Sequence, residues 1–335
     1  MCGCRFRSIV GDFAPRVKPA GGVESSHAEG DAAFMRFLQS FSFAISWLRS
    51  AVSPYAARMK ITQAILPVAG LGTRFLPWTK VVPKELLPLG NQPIIAHLVD
   101  ECLSIGIKDI CFVISRGKEA IPQYFYKDAA LEAELERRGK SHYLEQLKRY
   151  DEINLHVVYQ DEQLGDGHAL LQAADWVKSS TVAVLFGDDL FMGKKSGLMQ
   201  LKAAAKLTKT DHGAFVALEN VPQEHTHKYG IVTVEKIHPK NDRVLKLKGM
   251  VEKPHPSKAP STLGIVGRYL IPKSLFKTLE IIGKSPVKSK QKEIRLIDAL
   301  IHDLPKMPIH GVHCEGVRLD TGTPEGYKEA VKVFE

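Results

Sequence analysis

The chain has 335 residues, 44% hydrophobic and 25% charged, which excludes a disordered or fibrous protein and supplies core for one large domain or two moderate ones. Its net charge of +9 suits anionic small molecules as well as nucleic acid, and composition alone does not choose between them. Five scattered cysteines (Cys2, Cys4, Cys102, Cys111, Cys314) fit neither a disulfide framework nor a paired zinc motif, so a reducing, cytoplasmic compartment is expected.

Residues 1–32 mix Gly, Ser, Pro and charges without a sustained apolar period and read as unstructured. The stretch 34–52, FMRFLQSFSFAISWLRSAV, is compatible with a helix but is interrupted by Arg36, Gln39 and Arg49. Its uninterrupted run is shorter than the about 20 apolar residues that a bilayer span requires. It also lies too far from the start for a secretory signal. For residues 1–58 a start-site extension, a surface-binding amphipathic helix and an uncleaved anchor stay open. Met59 precedes a well-patterned strand and would serve as a natural start. The expectation is therefore a leader at 1–58 and one domain at 59–335, with no membrane association of the latter.

From Met59 short apolar runs alternate with helix-period segments. Strands are predicted at 64–69, 109–114, 155–160 and 181–186, with helices at 93–105 and 168–177 between them. This βαβ rhythm predicts an α/β fold of Rossmann-like type, a mixed, mostly parallel central sheet flanked by helices. A charged insertion at about 127–152 carries Glu134/Arg138 and Glu145/Arg149 in the favourable i,i+4 order and reads as one or two exposed helices. Past residue 213 longer strands (213–219, 229–235, 244–252, 263–271) predict a smaller β-rich part. Helices return at 272–282, 293–304 and 324–334. The Lys-rich stretch 283–292 reads as a solvated connection.

The chemistry gathers in 66–89, LPVAGLGTRFLPWTKVVPKELLPL. A strand ends at Ala69, and the turn Gly70-Leu71-Gly72-Thr73-Arg74 lets backbone N–H groups converge on phosphate oxygens. It is not a Walker A loop, since no Gly-Lys-Ser/Thr follows, nor a dinucleotide fingerprint, since Phe75 holds the third glycine position. Arg74 and Lys84 bracket a loop punctuated by Pro77, Pro83 and Pro88 that is not expected to be helical. Two cations on a stiffened loop after such a turn point to triphosphate chemistry. A second stretch, 182–191 (VAVLFGDDLF), reads as an apolar strand ending in Asp188 and Asp189, where open α/β sheets bind ligands.

The 66–89 stretch resembles the signature of the sugar-1-phosphate nucleotidylyltransferases, Gly-x-Gly-Thr-Arg followed by Pro-Lys-x-Leu-Leu-Pro, and the resemblance runs over 59–335. Its form, and the expanded 128–152 segment, are similar to the uridylyltransferase branch rather than the thymidylyltransferase one. The resemblance implies uridylyl transfer from UTP to α-D-glucose 1-phosphate. It implies nucleotide contacts from Ala69, Gly70, Leu71, Gly72, Thr73, Gln160 and Gly165. Gly230, Glu252 and Lys253 would hold the sugar and its phosphate, with 260–263 and 265–269 in the pocket wall. Asp188 and Asp320 would hold Mg2+, and Arg74, Lys84, Asp188 and Lys253 would carry catalysis. A homo-oligomer is implied as well. Asp189 and His168 receive no role, although a histidine at a helix start is more often structural. Two departures, Thr321 and Thr323 in DTGT and Gly187 where a proline is usual, are expected to bear on specificity rather than catalysis.

Two histidine groupings are set aside. His310 and His313 on a strand would face opposite sides, and His225-Thr226-His227 lacks a completing ligand. A non-catalytic nucleotide-sugar-binding paralogue is disfavoured because Arg74, Lys84, Asp188, Lys253 and Asp320 are all present. Nucleic-acid binding is disfavoured because Lys284, Lys288, Lys290 and Lys292 lack interleaved aromatics.

Overall fold

The computed structural model describes residues 59–284 and 293–335, all within a single compact unit. The leader, its apolar 34–52 stretch and most of the Lys-rich connection, including Lys288, Lys290 and Lys292, lie outside the described residues. The strands are β1 (Ile61–Pro67), β2 (Pro88–Leu89), β3 (Gln92–Pro93), β4 (Asp109–Ile114), β5 (Asn154–Tyr159), β6 (Thr181–Leu185) and β7 (Asp189–Met192). They continue as β8 (Ala214–Asn220), β9 (Gly230–His238), β10 (Asn241–Glu252), β11 (Leu263–Pro272), β12 (Ile309–His313) and β13 (Val317–Asp320).

Nine strands form one mixed sheet in the order β5-β4-β1-β6-β11-β8-β12-β10-β9. Parallel pairing holds throughout β5-β4-β1-β6 and returns between β8 and β12. β11, wedged between β6 and β8, runs antiparallel to both, and β10 runs antiparallel to β12 and β9. The expected α/β architecture is present, but the sheet is evenly mixed rather than mostly parallel, with three of its four parallel pairings in the half that carries the glycine-rich turn.

Helices cover both faces, so the central strands are apolar on both. Ala64 and Leu66 face one cluster together with Leu98 and Leu201, from the helices Ile94–Ser104 and Gly197–Thr208. Ile65 faces the other, with Leu170, Leu279 and Leu300 from the helices Asp166–Gln172, Ser274–Gly283 and Leu296–Asp303. This period-two alternation across a sheet buried on both sides gives near-continuous apolar runs. Each fully buried Leu or Ile contributes about 1.5–3 kcal/mol of transfer free energy. No helix among the described residues is long and apolar enough to cross a membrane. Cys102, Cys111 and Cys314 are free thiols.

One further reading is corrected and two are sharpened. The insertion is two separate α-helices, Ala129–Arg137 and Leu144–Lys148, joined by a 3-10 turn, where Gly139 takes a φ of 69° and ends the first. Residues 182–191 are not one strand: β6 stops at Leu185, the chain turns through Phe186-Gly187-Asp188, and β7 starts at Asp189. β7 then pairs only with β13, Asp320 opposite Asp189, in a two-stranded ribbon outside the main sheet. The proline-rich loop holds three single 3-10 turns (73–75, 78–80, 84–86) and, as expected, no α-helix.

Candidate active site

The glycine-rich turn follows the C-terminal end of β1, an inner strand of the parallel half flanked by β4 and β6. Gly72 sits at φ 66°, and Thr79 Oγ1 donates to its carbonyl at 2.8 Å, so the loop is folded back upon its own turn. A Cβ at Gly72 would lie 3.0 Å from Thr79 Cγ2, so glycine answers both the left-handed backbone and the close approach. Arg74, exposed, reaches across 248 positions of sequence to donate from Nη1 to the Gly322 carbonyl at 3.1 Å.

Gly322 is the point on which the charged groups meet. A Cβ there would lie 2.9 Å from Asp188 Oδ2 and 3.0 Å from Asp320 Oδ1, so the two carboxylates flank one small space. Lys84 Nζ donates to Asp188 Oδ2 at 3.0 Å from the opposite side. The ribbon makes this convergence: the Thr321 N–H and hydroxyl both donate to the Asp188 carbonyl, at 2.7 and 3.1 Å. The Gly322 N–H donates to Asp320 Oδ1 at 2.9 Å. Burial by itself would raise the Asp188 pKa, but Lys84 beside it more than offsets this and holds the carboxyl below its ordinary value. Burial likewise opposes the Lys84 charge, and Asp188 and Glu85 lift its pKa above that of a free lysine. Both groups are therefore charged at neutral pH.

Asp189, left without a role above, points away from Asp188. Its Oδ2 accepts the Gly267 N–H at 2.8 Å, and its Oδ1 accepts from Arg318. Arg318 also donates to Glu219 at 2.9 Å and lies 3.7 Å from Asp320, tying the ribbon to β8. The two departures have local hydrogen-bonding and packing roles. Thr321 is buried against Asp188, and Thr323 Oγ1 caps the helix Pro324–Phe334 by accepting the Gly326 N–H at 3.1 Å. Gly187 packs closely: a Cβ there would lie 2.8 Å from Val68 Cγ1, so Val68 would have to shift.

Gln160 follows β5 at the end of the sheet and is buried. Its Nε2 donates to the Gly165 carbonyl at 3.0 Å and contacts His168 Nδ1 at 3.1 Å, while Gln172 Nε2 contacts the other ring nitrogen at 3.1 Å. His168 is thus held between two amides, in keeping with a structural part. Gly165 stands at φ 100°, and a Cβ there would meet the Ile294 carbonyl oxygen at 2.5 Å. The reason is a set of cross-links to 294–296: Gly167 N–H to Ile294 O at 2.9 Å, Ile294 N–H to Leu164 O at 2.7 Å and Leu296 N–H to Asp166 Oδ1 at 2.8 Å.

The same 294–298 segment touches the third group. Glu252, at the end of β10, has Oε1 3.5 Å from Lys253 Nζ and 3.9 Å from Arg295 Nη1. Oε2 lies 3.4 Å from where a Gly230 Cβ would stand. That Cβ would also meet Ile297 Cδ1 at 2.3 Å, so any larger residue there would displace the Ile297 side chain. Lys253 is exposed and takes φ 45°, uncommon for a non-glycine residue, fixed by its N–H bond to the Tyr229 carbonyl at 3.0 Å. Arg295, Arg318 and Asp166 were not found from sequence, because their partners lie far along the chain. His310, buried on Phe215, and His313 join no metal-binding group, and none with three or more ligands exists among the described residues.

Residues 63–334 match the model of the nucleotidyl transferase family, and the chain belongs to that family. Among its relatives is the UTP–glucose-1-phosphate uridylyltransferase YngB of Bacillus subtilis (strain 168), 37% identical over 270 residues, covering 80% of this chain and 88% of that one. The UTP–glucose-1-phosphate uridylyltransferase of Pseudomonas aeruginosa is 36% identical over 271 residues, covering 81% and 94%. A UTP-bound UGPase from Acinetobacter baumannii is similar in structure, with a TM-score of 0.73 and 33% identity, covering 82% and 93%. A UDP-glucose pyrophosphorylase complexed with UDP-glucose gives a TM-score of 0.70 at 31% identity, covering 82% and 98%.

Proposed function

We propose that the protein transfers the uridylyl group of UTP to α-D-glucose 1-phosphate, giving UDP-glucose and pyrophosphate. The observation that carries this reading is the meeting of Arg74, Lys84, Asp188 and Asp320 around Gly322, in a chain whose relatives bear that activity in their names. A phosphate oxygen of the sugar phosphate attacks the α-phosphorus in line; that P–O bond forms as the bond to pyrophosphate breaks. The nucleophile is already ionised at neutral pH, so no general base is needed, and catalysis is positioning plus charge neutralisation.

In this reading Arg74 and Lys84 hold the triphosphate and the charge that develops on it. Backbone groups of 69–73 cradle its oxygens. Gln160 has turned its Nε2 inward, which leaves Oε1 to accept the N3–H of uracil, with Gly165 beneath the base. Glu252 accepts hydroxyls of the sugar beside Gly230, and Lys253 aligns its phosphate. Asp188 and Asp320 suit a divalent cation, Mg2+ in this reading, because both are carboxylates converging on one space and Mg2+ favours a few hard oxygens plus substrate phosphates. Such an ion supplies charge neutralisation to the phosphates.

Asp188→Asn and Lys84→Ala test the assignment. Each is expected to lower kcat for pyrophosphate release by about 10²–10³ while circular dichroism stays that of the wild type. Near-wild-type turnover in either variant removes that residue from the mechanism.

A further inference from the structure

Lys118 lies in the turn after β4, among the least exposed charged side chains of the protein, and it is remote in sequence from the groups described above. Its Nζ donates to the Val68 carbonyl at 2.8 Å and to Glu85 Oε2 at 2.9 Å. Val68 stands two residues before the glycine-rich turn, and Glu85 directly follows Lys84. Glu85 is itself almost fully buried. The missing side chain of Gly187 makes room for this pair: a Cβ there would lie 2.8 Å from Val68 Cγ1 and 3.5 Å from Glu85 Cγ. The phosphate turn, the Lys84 loop and the residue before Asp188 therefore meet on one buried ammonium–carboxylate pair.

Stability alone is a poor account of such a pair, since apolar residues of similar volume often replace a buried ion pair at no loss of stability. What apolar residues do not supply is direction. Two of the three ammonium donors are committed to two different chain segments, which sets their spacing. Burial opposes the charge on Lys118, and Lys84 nearby does too, while Glu85 favours it.

We propose that Lys118 is a positioning residue for the triphosphate subsite, holding the glycine-rich turn and the Lys84 loop at the spacing that sets Lys84 on Asp188. It touches neither substrate. The inference rests on the functional reading above, which assigns Lys84 and the turn to UTP.

Three variants test it: Lys118→Met, Lys118→Arg and the double variant Lys118→Met/Glu85→Gln, which also removes the carboxylate left unpaired. Steady-state pyrophosphate release is measured against UTP and against glucose 1-phosphate, with Tm recorded for each protein. Lys118→Met is expected to lower kcat/KM for UTP by about 10–100-fold, the usual effect of losing a residue that orients a ligand-bearing group, with KM for glucose 1-phosphate unchanged. The double variant is expected to recover Tm but not kcat/KM for UTP. Lys118→Arg keeps the charge and the fold and is expected to show a smaller loss, again with KM for glucose 1-phosphate unchanged. Wild-type kcat and KM for UTP in Lys118→Arg and in the double variant overturn the proposal, as does a rise in KM for glucose 1-phosphate equal to that for UTP. A wild-type protein that releases no pyrophosphate from UTP and glucose 1-phosphate overturns the functional reading and this inference together, whereas an active wild type with unimpaired variants overturns the inference alone.

Discussion

Asp166 opens the helix 166–172 with one carboxylate oxygen bound to the Leu296 N–H, and it lies in the field of Glu252 and Lys253. Burial dominates and pushes its pKa up to about 6, against the bonds from Leu296 and Gly167 that pull it down. A carboxyl raised above its unfolded value of about 3.9 adds stability that is complete below that value and is lost as pH rises through its folded pKa. Asp166→Asn carries no charge at any pH and keeps the acceptor for Leu296. Its Tm is expected to match the wild type near pH 4 and to exceed it increasingly up to pH 7, with a constant gap above. A gap independent of pH contradicts this. At the same scale the motif residues were legible because each motif is short and contiguous: 69–74, 160–165, 252–253 and 320–323. Arg295, Arg318 and Lys118 were not, because each acquires meaning only from a partner across the fold, such as Glu252, Asp189 or Val68.

Among the elements, the segment 294–298 joins the loop 164–167 by backbone bonds and sets Arg295 and Ile297 against Glu252 and Gly230, which the proposed function assigns to nucleobase and sugar. Gly165→Ala tests that union. Its Cβ would strike the Ile294 carbonyl oxygen in a backbone conformation unfavourable to L residues. A cost of about 1–3 kcal/mol is expected from the strain, read as a lower Tm, together with a raised KM for UTP. Unchanged Tm and KM contradict the packing described. β4 and the last helix match their expected limits, most other long elements shift by one to three residues, and the helix expected at 168–177 runs instead over Asp166–Gln172. The ribbon β7/β13 was not, because four-residue strands paired only to each other carry no pattern that distinguishes them from loops. Helix 197–208 was also missed, although Ser196 caps it and Leu198, Leu201, Ala204 and Ala205 recur at helical spacing, a signal present in the sequence.

For the whole molecule, the sheet combines a parallel half with a largely antiparallel one. The parallel half followed from βαβ alternation. The insertion of β11 between β6 and β8 did not, since strand order is set by tertiary pairing and not by local pattern. All the site residues lie within 63–334, the span of the family match. We propose that residues 59–335 form the catalytic unit, so a chain starting at Met59 is expected to keep the kcat/KM of the full chain. Loss of activity on that truncation would give residues 1–58 a part in catalysis or folding.

The central claim is uridylyl transfer to glucose 1-phosphate, and pyrophosphate release from UTP, dTTP, CTP and GTP, each paired with glucose, galactose and mannose 1-phosphates, tests it most directly. The account predicts the highest kcat/KM for UTP with glucose 1-phosphate. A preference for dTTP over UTP, or no release from UTP with glucose 1-phosphate, would contradict it.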